Sequence, residues 1–312
     1  MKRIRVITHS NSFHVDEIFA IATLKLWLKV SKKYFGNFLC RRMKIIRTRD
    51  LSLIREGDFV IDVGSENDHK RLRFDHHQVG GAGKRLNGVQ YASFGLLWKK
   101  YGEIICGSKE VFTRIDKKMV QSIDAMDNGV DLFENVYKDI SPYLFYDIVA
   151  TFDFLSKRVG DNSMKGFLKM IDLAEDILRK EIQRSVIEVR EEKRVEEIYK
   201  SSEEKSFLVF DKGYDKFSIL NILGKYKEVL FFIKPDTGRD NAWEIRAIRD
   251  DINSFKNRKD FPVEWAGKKD NDLVRATGVR GAIFCHLKRY LVIAKTKEGA
   301  IELTKLALKN NN

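Results

Sequence analysis

The stretch from Arg3 to Val30 does most to limit the folds open to this chain. Arg3-Ile4-Arg5-Val6-Ile7-Thr8 alternates and is rich in β-branched residues, the pattern of a strand, and it stops at His9. Beyond the polar turn His9-Ser10-Asn11-Ser12-Phe13, the apolar residues Ile18, Phe19, Ala22, Leu26 and Val30 recur at helical spacing. Strand, loop and helix in that order open a parallel α/β sheet, whose ligands bind in the crevice outside the carboxyl ends of the strands. His9, His14 and Asp16 fall at that crevice, where two imidazoles and a carboxylate suit a metal ion. The competing reading has the histidines capping the turn and Asp16 answering the helix dipole.

The same logic continues along the chain. Met43–Arg47 reads as a second strand, and Asp58–Gly64 as a third with Asp62 at its tip. Leu72-Arg73-Phe74-Asp75-His76-His77-Gln78 then runs into the glycine-rich Val79–Gly83. In such a cluster a carboxylate can bridge two cations, one imidazole can complete a shell, and the second can reach a substrate oxygen. Tyr91–Trp98 starts a helix expected to end at Tyr101-Gly102, and Phe112–Met126 makes another that stops at Asn128-Gly129. Asp124 and Asp127, three apart, can share one helix face. From Ser163 to about Lys200 an apolar stripe through Phe167, Ile171, Ala174 and Leu178 marks a long connecting helix that could brace a homodimer. Strand-like runs follow at 206–210, 229–233, 243–248, 283–286 and 290–293, with a final helix from Lys297. The expected architecture is α/β: a mainly parallel sheet flanked by helices in residues 1–160, the connecting helix in 161–202, and a smaller α/β or α+β domain in 203–312.

A chain of 312 residues is longer than one core usually supports, and 43% hydrophobic content with three prolines suits two folded domains. Cys40, Cys106 and Cys285 are far apart and odd in number, which fits a reducing compartment. No run is long enough to span a membrane and Met1–Thr8 reads as strand, so a cytoplasmic protein with no membrane partner is expected. The net charge of +13 points to a polyanionic partner, nucleic acid first. Between Ser31 and Arg49 lie seven basic residues and no acidic one, interleaved with Tyr34, Phe35 and Phe38. That block reads either as a contact for a single strand or as a solvated loop.

His9, His14, Asp16, Asp62, Asp75, His76 and Asp127 are thus placed at loop and strand ends, too many ligands for one ion. Mixed imidazole and carboxylate shells suit manganese, iron, cobalt or zinc better than calcium or magnesium. Two ions about 3.5–4 Å apart would acidify a bridging water and neutralise a phosphoryl group, so hydrolysis is the natural chemistry. No Ser-His-Asp arrangement, Walker loop or dinucleotide fingerprint competes with it.

The order of these stretches resembles the DHH phosphoesterase superfamily, and within it the MYG-type exonuclease family. The resemblance rests on Thr8–Glu17, Asp62-Val63-Gly64, Arg73–Gln78 and Ile123–Gly129, and in the second half on Phe261–Gly267, Gly281–His286 and Lys295–Ala300. It implies a DHH-type catalytic domain and a manganese-dependent 3′-to-5′ exonuclease acting on RNA. It further implies one metal on His9, His14 and Asp62 and a second on Asp16, Asp62, His76 and Asp127, with Asp75 completing the motif and Asp62 and Asp75 both candidate bridges. Asp75, His76 and His77 would form the catalytic stretch, His77 meeting the substrate. Val292-Ile293-Ala294 and Lys268-Lys269-Asp270 depart from the family pattern. In the second domain Arg246, Arg280, His286 and Arg289, with Gly278 and Gly281 alongside, are expected to hold substrate phosphates. The alternatives are a small-substrate member cleaving pyrophosphate, polyphosphate or dinucleotides, and a nucleic-acid-binding protein without catalysis.

Overall fold

The computed structural model describes residues 3–35, 43–158, 163–251 and 256–310. The chain divides into two compact units, Met1–Val186 and Ile187–Asn312. The division falls inside the long helix.

In the first unit, β1 (Ile4–Thr8) leads into α1 (Val15–Phe35), followed by β2 (Met43–Arg47), the short α2 (Leu51–Arg55), β3 (Phe59–Ile61), β4 (Asn67–Asp68) and β5 (Arg73–Phe74). The sheet order is β2-β1-β3-β5-β4. All pairings are parallel except the edge strand β4, which runs antiparallel to β5. Strands buried from both sides read as continuous apolar runs, and Phe59-Val60-Ile61 is buried throughout. Parallel pairing brings the carboxyl ends of β1, β3 and β5 side by side, each followed by a titratable residue: His9, Asp62 and Asp75. Asp62 takes a left-handed backbone with φ of 57°, a conformation costly for a residue with a Cβ and concentrated at functional sites.

Helix α1 packs Ile18, Phe19, Ile21 and Ala22 into the core. Its chief neighbour is α3 (Ser93–Cys106), which contributes Phe94, Leu97 and Trp98. Phe19 stacks on Phe94 with centroids 5.3 Å apart. Each such side chain stabilises by about 1.5–3 kcal/mol through burial alone. Helix α3 does not stop at Tyr101-Gly102 as its glycine suggests. A Cβ on Gly102 would lie 2.7 Å from the Trp98 ring and 2.9 Å from Phe112, so that glycine serves close packing within the helix. The terminating glycine is Gly107, at φ of 64°. The expected second helix is in three pieces: α4 (Lys109–Ile115), a π-helical turn (Asp116–Val120) and α5 (Gln121–Asp127). Two more helices follow, α6 (Phe145–Arg158) and α7 (Ser163–Ser201).

The second unit adds β6 (Phe207–Val209), α8 (Lys216–Leu223), β7 (Phe231–Pro235), β8 (Trp243–Ala247), α9 (Asp270–Thr277), β9 (Ala282–Cys285), β10 (Leu291–Ala294) and α10 (Lys297–Lys309). Its sheet order is β6-β7-β8-β10-β9, and only β6 and β7 are parallel, so this half is mixed. The period-two rule of strands divides its core in two. Phe231, Ile233, Ile245 and Val292 pack with Phe261, Leu273 and Leu303, whereas Leu208, Phe210, Phe232 and Ile248 pack with Ile219, Leu223 and Val195. Among the described residues no helix is long and apolar enough to cross a membrane.

Candidate metal centre

Asp62 stands between two sets of imidazoles. Its Oδ2 lies 3.3 Å from His9 Nε2 and 3.9 Å from His14 Nδ1. Its Oδ1 lies 3.3 Å from His76 Nε2 and 3.5 Å from His77 Nδ1. His76 Nε2 also approaches Asp127 Oδ2 at 3.0 Å, which brings Asp16 into a third group. Ligand atoms within 4.8 Å of one another therefore form three sets: His9, His14 and Asp62; Asp62, His76 and His77; Asp16, His76 and Asp127. His9 Nε2, Asp62 Oδ2 and His76 Nε2 are buried, yet none makes a hydrogen bond of good geometry. Buried polar atoms aimed at one another without partners are what a cation site requires, and imidazole with carboxylate is a donor set that holds divalent metals. The residues fit divalent cations, and Asp62 belongs to two of the three sets.

The electrostatics agree with that fit. Burial opposes ionisation of Asp62, but the imidazoles of His76 and His9 beside it hold its carboxyl well below the usual range. His76 resists its own burial and is pushed up to about 11 by Asp127 and Asp62. Asp16 is raised well above the ordinary carboxylate value, first by burial and then by Asp127 and Asp62. Three carboxylates crowded about one imidazole gain from added positive charge.

The scaffold explains how Asp16 tolerates complete burial. The Ser93 backbone N–H donates to Asp16 Oδ2 at 3.0 Å and that of Phe94 to Oδ1 at 2.7 Å. Ala92 supplies no side-chain cap to α3, and Asp16 from α1 fills that role across 77 residues. Ser93 Oγ donates to Asp62 Oδ1 at 3.2 Å, so the positive end of α3 faces the carboxylates.

Asp75 is not brought into the three sets. Its Oδ2 accepts from Ser65 N at 2.5 Å, and its Oδ1 accepts from His76 N at 2.7 Å and pairs with His77 Nδ1 at 2.7 Å. Its geometry is that of a residue which shapes the turn and orients His77, whose side chain is 52% exposed. Asp124 is in none of the three sets either: it pairs with Arg85 Nη1 at 2.7 Å and accepts from Gly95 N at 2.9 Å.

The whole-chain comparison decides the family. Residues 5–308 match the MYG1_exonuc family model, described as Uncharacterised protein family (UPF0160). The chain belongs to this family. The MYG1 protein of Dictyostelium discoideum is 29% identical, with 96% of this chain and 95% of that protein covered. The Chlamydia muridarum MYG1 protein is 28% identical over 97% of this chain and 96% of its own length. The human MYG1 exonuclease is 25% identical, covering 97% and 85%. Among solved structures, RecJ from Thermus thermophilus in complex with Mg2+ aligns at a TM-score of 0.29 and 11% identity, with 98% of this chain and 50% of that one covered. The chain thus spans half the length of that RecJ.

Several residues of this family member escaped the sequence reading. Glu17, fully buried, accepts from Thr8 Oγ1 at 2.5 Å and from His14 N at 3.2 Å, and its Oε1 lies 3.2 Å from His9 Nε2. Burial raises it to about 7, against the pull of His9 and Arg47. Arg47, part of the basic block, is a structural residue: it donates to the carbonyls of Asn11 and Ser12 and lies over the rings of Phe13 and Phe167. Lys44 and Arg49 are exposed, whereas Arg41 and Arg42, like Phe38, lie outside the described residues. The sequence signals for Glu17 were its place in the first turn of α1 beside Asp16 and at the end of the family-like stretch Thr8–Glu17.

In the second unit the four expected substrate contacts separate. Arg246 on β8 and His286 after β9 line one cavity. Arg280 is exposed before β9, and Arg289 is turned to Asp260 at 3.1 Å and the Phe261 carbonyl at 3.3 Å.

Proposed function

We propose that this protein is a metal-dependent phosphodiester hydrolase, a manganese-dependent 3′-to-5′ exonuclease acting on RNA. The observation that carries the reading is Asp62, whose two carboxylate oxygens face separate imidazole sets on neighbouring strand ends. His9, His14 and Asp62 would hold one cation, and Asp16, Asp62, His76 and Asp127 the other. Cations held there would neutralise charge on a phosphoryl group and acidify an attacking water. The chain's own contributions are positional. Asp16 ties the ligands to α3, Glu17 braces His9, and Asp75 fixes the ring of His77 at the exposed side of the site to meet a phosphate oxygen. Membership of a family with relatives named as exonucleases supports the reaction class, and the charge of +13 supports a nucleic-acid substrate. The second unit holds the substrate. The free thiols Cys106 and Cys285 support a reducing, cytoplasmic setting.

The test is end-labelled RNA, a DNA oligomer and pyrophosphate incubated in parallel with manganese or magnesium. A ladder descending one nucleotide at a time from the RNA 3′ end is the expected result. Cleavage of pyrophosphate alone, or of nothing with either metal, overturns the proposal.

A further inference from the structure

A cavity of about 530 Å³ opens in the second unit where β8 ends and β10 begins. That size is ordinary for a small-molecule site. Among the described residues four cations line it, Lys216, Arg246, Arg249 and Lys288, and no carboxylate does. Asp250 and Asp251 line an adjoining, smaller cavity of about 270 Å³ that shares Phe217, Leu220 and Arg249 with it. The cations are held in different ways. Arg246 gives its Nε to Glu244 at 2.9 Å, and Glu244 is itself held by Lys234 at 2.7 Å, so the buried pair Lys234–Glu244 fixes the half-buried guanidinium while its terminal nitrogens make no hydrogen bond among the described residues. Lys216 lies over the Phe217 ring at 4.9 Å and is exposed.

The remaining wall is aromatic. The rings of His286 and Tyr290 lie 4.4 Å apart, with Phe217 also lining the cavity. The Lys288 backbone N–H donates to His286 Nδ1 at 3.0 Å, which leaves the ring proton on Nε2 as a hydrogen-bond donor. Clustered cations beside π-faces and a ring N–H donor form a chemistry that selects a ligand both anionic and aromatic. Gly281 and Lys295, joined by a backbone hydrogen bond, lie at the opposite end of β9 and β10, so Arg280 cannot belong to this wall.

The geometry points to a nucleotide-binding site in this cavity, with the phosphate among Lys216, Arg246, Arg249 and Lys288 and the base against the aromatic wall. The choice of a nucleotide over other aromatic phosphates rests on the nuclease reading; the anionic and aromatic preference does not. Two sources share the chemistry, a free mononucleotide released by hydrolysis and a nucleotide within an RNA strand.

Calorimetric titration of the full chain in excess chelator keeps the metal centre out of the measurement. The probes are AMP, adenosine, pyrophosphate and a short oligoribonucleotide. The expected result is saturable binding of AMP or of the oligomer, retained in Asp62→Asn and weakened about tenfold or more in Arg246→Gln and in Lys216→Ala, the scale of one charge-assisted hydrogen bond. AMP bound as tightly as the oligomer identifies a free nucleotide, and the oligomer alone identifies a strand. Binding of pyrophosphate equal to that of AMP, binding insensitive to both cavity variants, or no binding of any nucleotide overturns the site. Retention in Asp62→Asn separates this outcome from failure of the nuclease reading, which the cleavage assay judges alone.

Discussion

Replacing Gly95 by alanine should destabilise the first unit, although a helical glycine usually gains about 1 kcal/mol from that change. A Cβ at this position falls 1.9 Å from Asp124 Oδ2, more than an ångström inside van der Waals contact, and 2.9 Å from Arg85 Nη2. The obstruction cannot swing aside, because Asp124 is fully buried, bonded to the Gly95 N–H and paired with an Arg85 that also binds Asp116 at 3.0 Å. Displacing one member of a buried ion pair costs about 3–5 kcal/mol. Set against the propensity gain, a net loss of about 3 kcal/mol is expected, or roughly 6–12 °C in the melting transition of a unit this size. Because Ser93 and Phe94 hold Asp16, metal affinity should fall with stability. The assay is scanning calorimetry with and without manganese, applied to Gly95→Ala, Asp124→Ala and the double variant. The contact predicts non-additivity, with the double variant less damaged than the sum of the singles. A melting temperature equal to or above wild type in Gly95→Ala, or strictly additive losses, would refute the reasoning.

Further outcomes are expected. Asp62→Asn should abolish hydrolysis and lower bound metal, measured by mass spectrometry beside rate, while leaving the fold intact; full occupancy with full rate would remove Asp62 from the centre. His77→Ala should keep metal near normal while the rate falls by roughly 10², the scale of losing one transition-state contact, whereas loss of metal would make His77 a ligand. Burial opposes the ionisation of Glu175, yet Lys25 and Lys29 hold its carboxyl below the usual value. Stability from this cluster is therefore present above pH ~4.5 and lost as pH falls through the folded value. The stability gap between wild type and Glu175→Gln should close in denaturant titrations taken from pH 6 down to 3. Burial pushes the thiols of Cys106 and Cys285 up to about 12, so neither should react with iodoacetamide at pH 8 until denaturant is added.

The parts of the centre visible in the sequence were those set by short-range rules. A β-branched run followed by an amphipathic helix fixes strand polarity, and polarity fixes which end collects His9, Asp62 and the Asp-His-His stretch. What stayed hidden depends on contacts across long separations. Nothing near Asp16 announces that it caps a helix 77 residues away, and nothing in a basic block tells Arg47, which lies against Phe167, from a lysine in solvent. Gly102 looked like a stop because a glycine at a helix end and one under a tryptophan are the same letter. The helix from Phe112 was legible as apolar periodicity, but its break into α, π and α segments changes no composition at all.

That break has a consequence for how such a chain can vary. In the π turn the Gln121 N–H reaches five residues back to the Asp116 carbonyl, so the segment holds one residue more than an α-helix of the same rise. Deleting one residue there, Lys117 for example, would leave an ordinary α-helix with α4 and α5 still in phase, whereas winding all five residues as α-helix would rotate α5 by about 100° relative to α4. That rotation, and not the deletion, would take Asp127 from His76 and Asp124 from Arg85 with every ligand still present in the sequence. The extra residue is taken up inside the turn, so a relative one residue shorter between Ile115 and Gln121 would bring the equivalent aspartates to the same places, and an alignment that closes the one-residue gap there would pair the wrong ones.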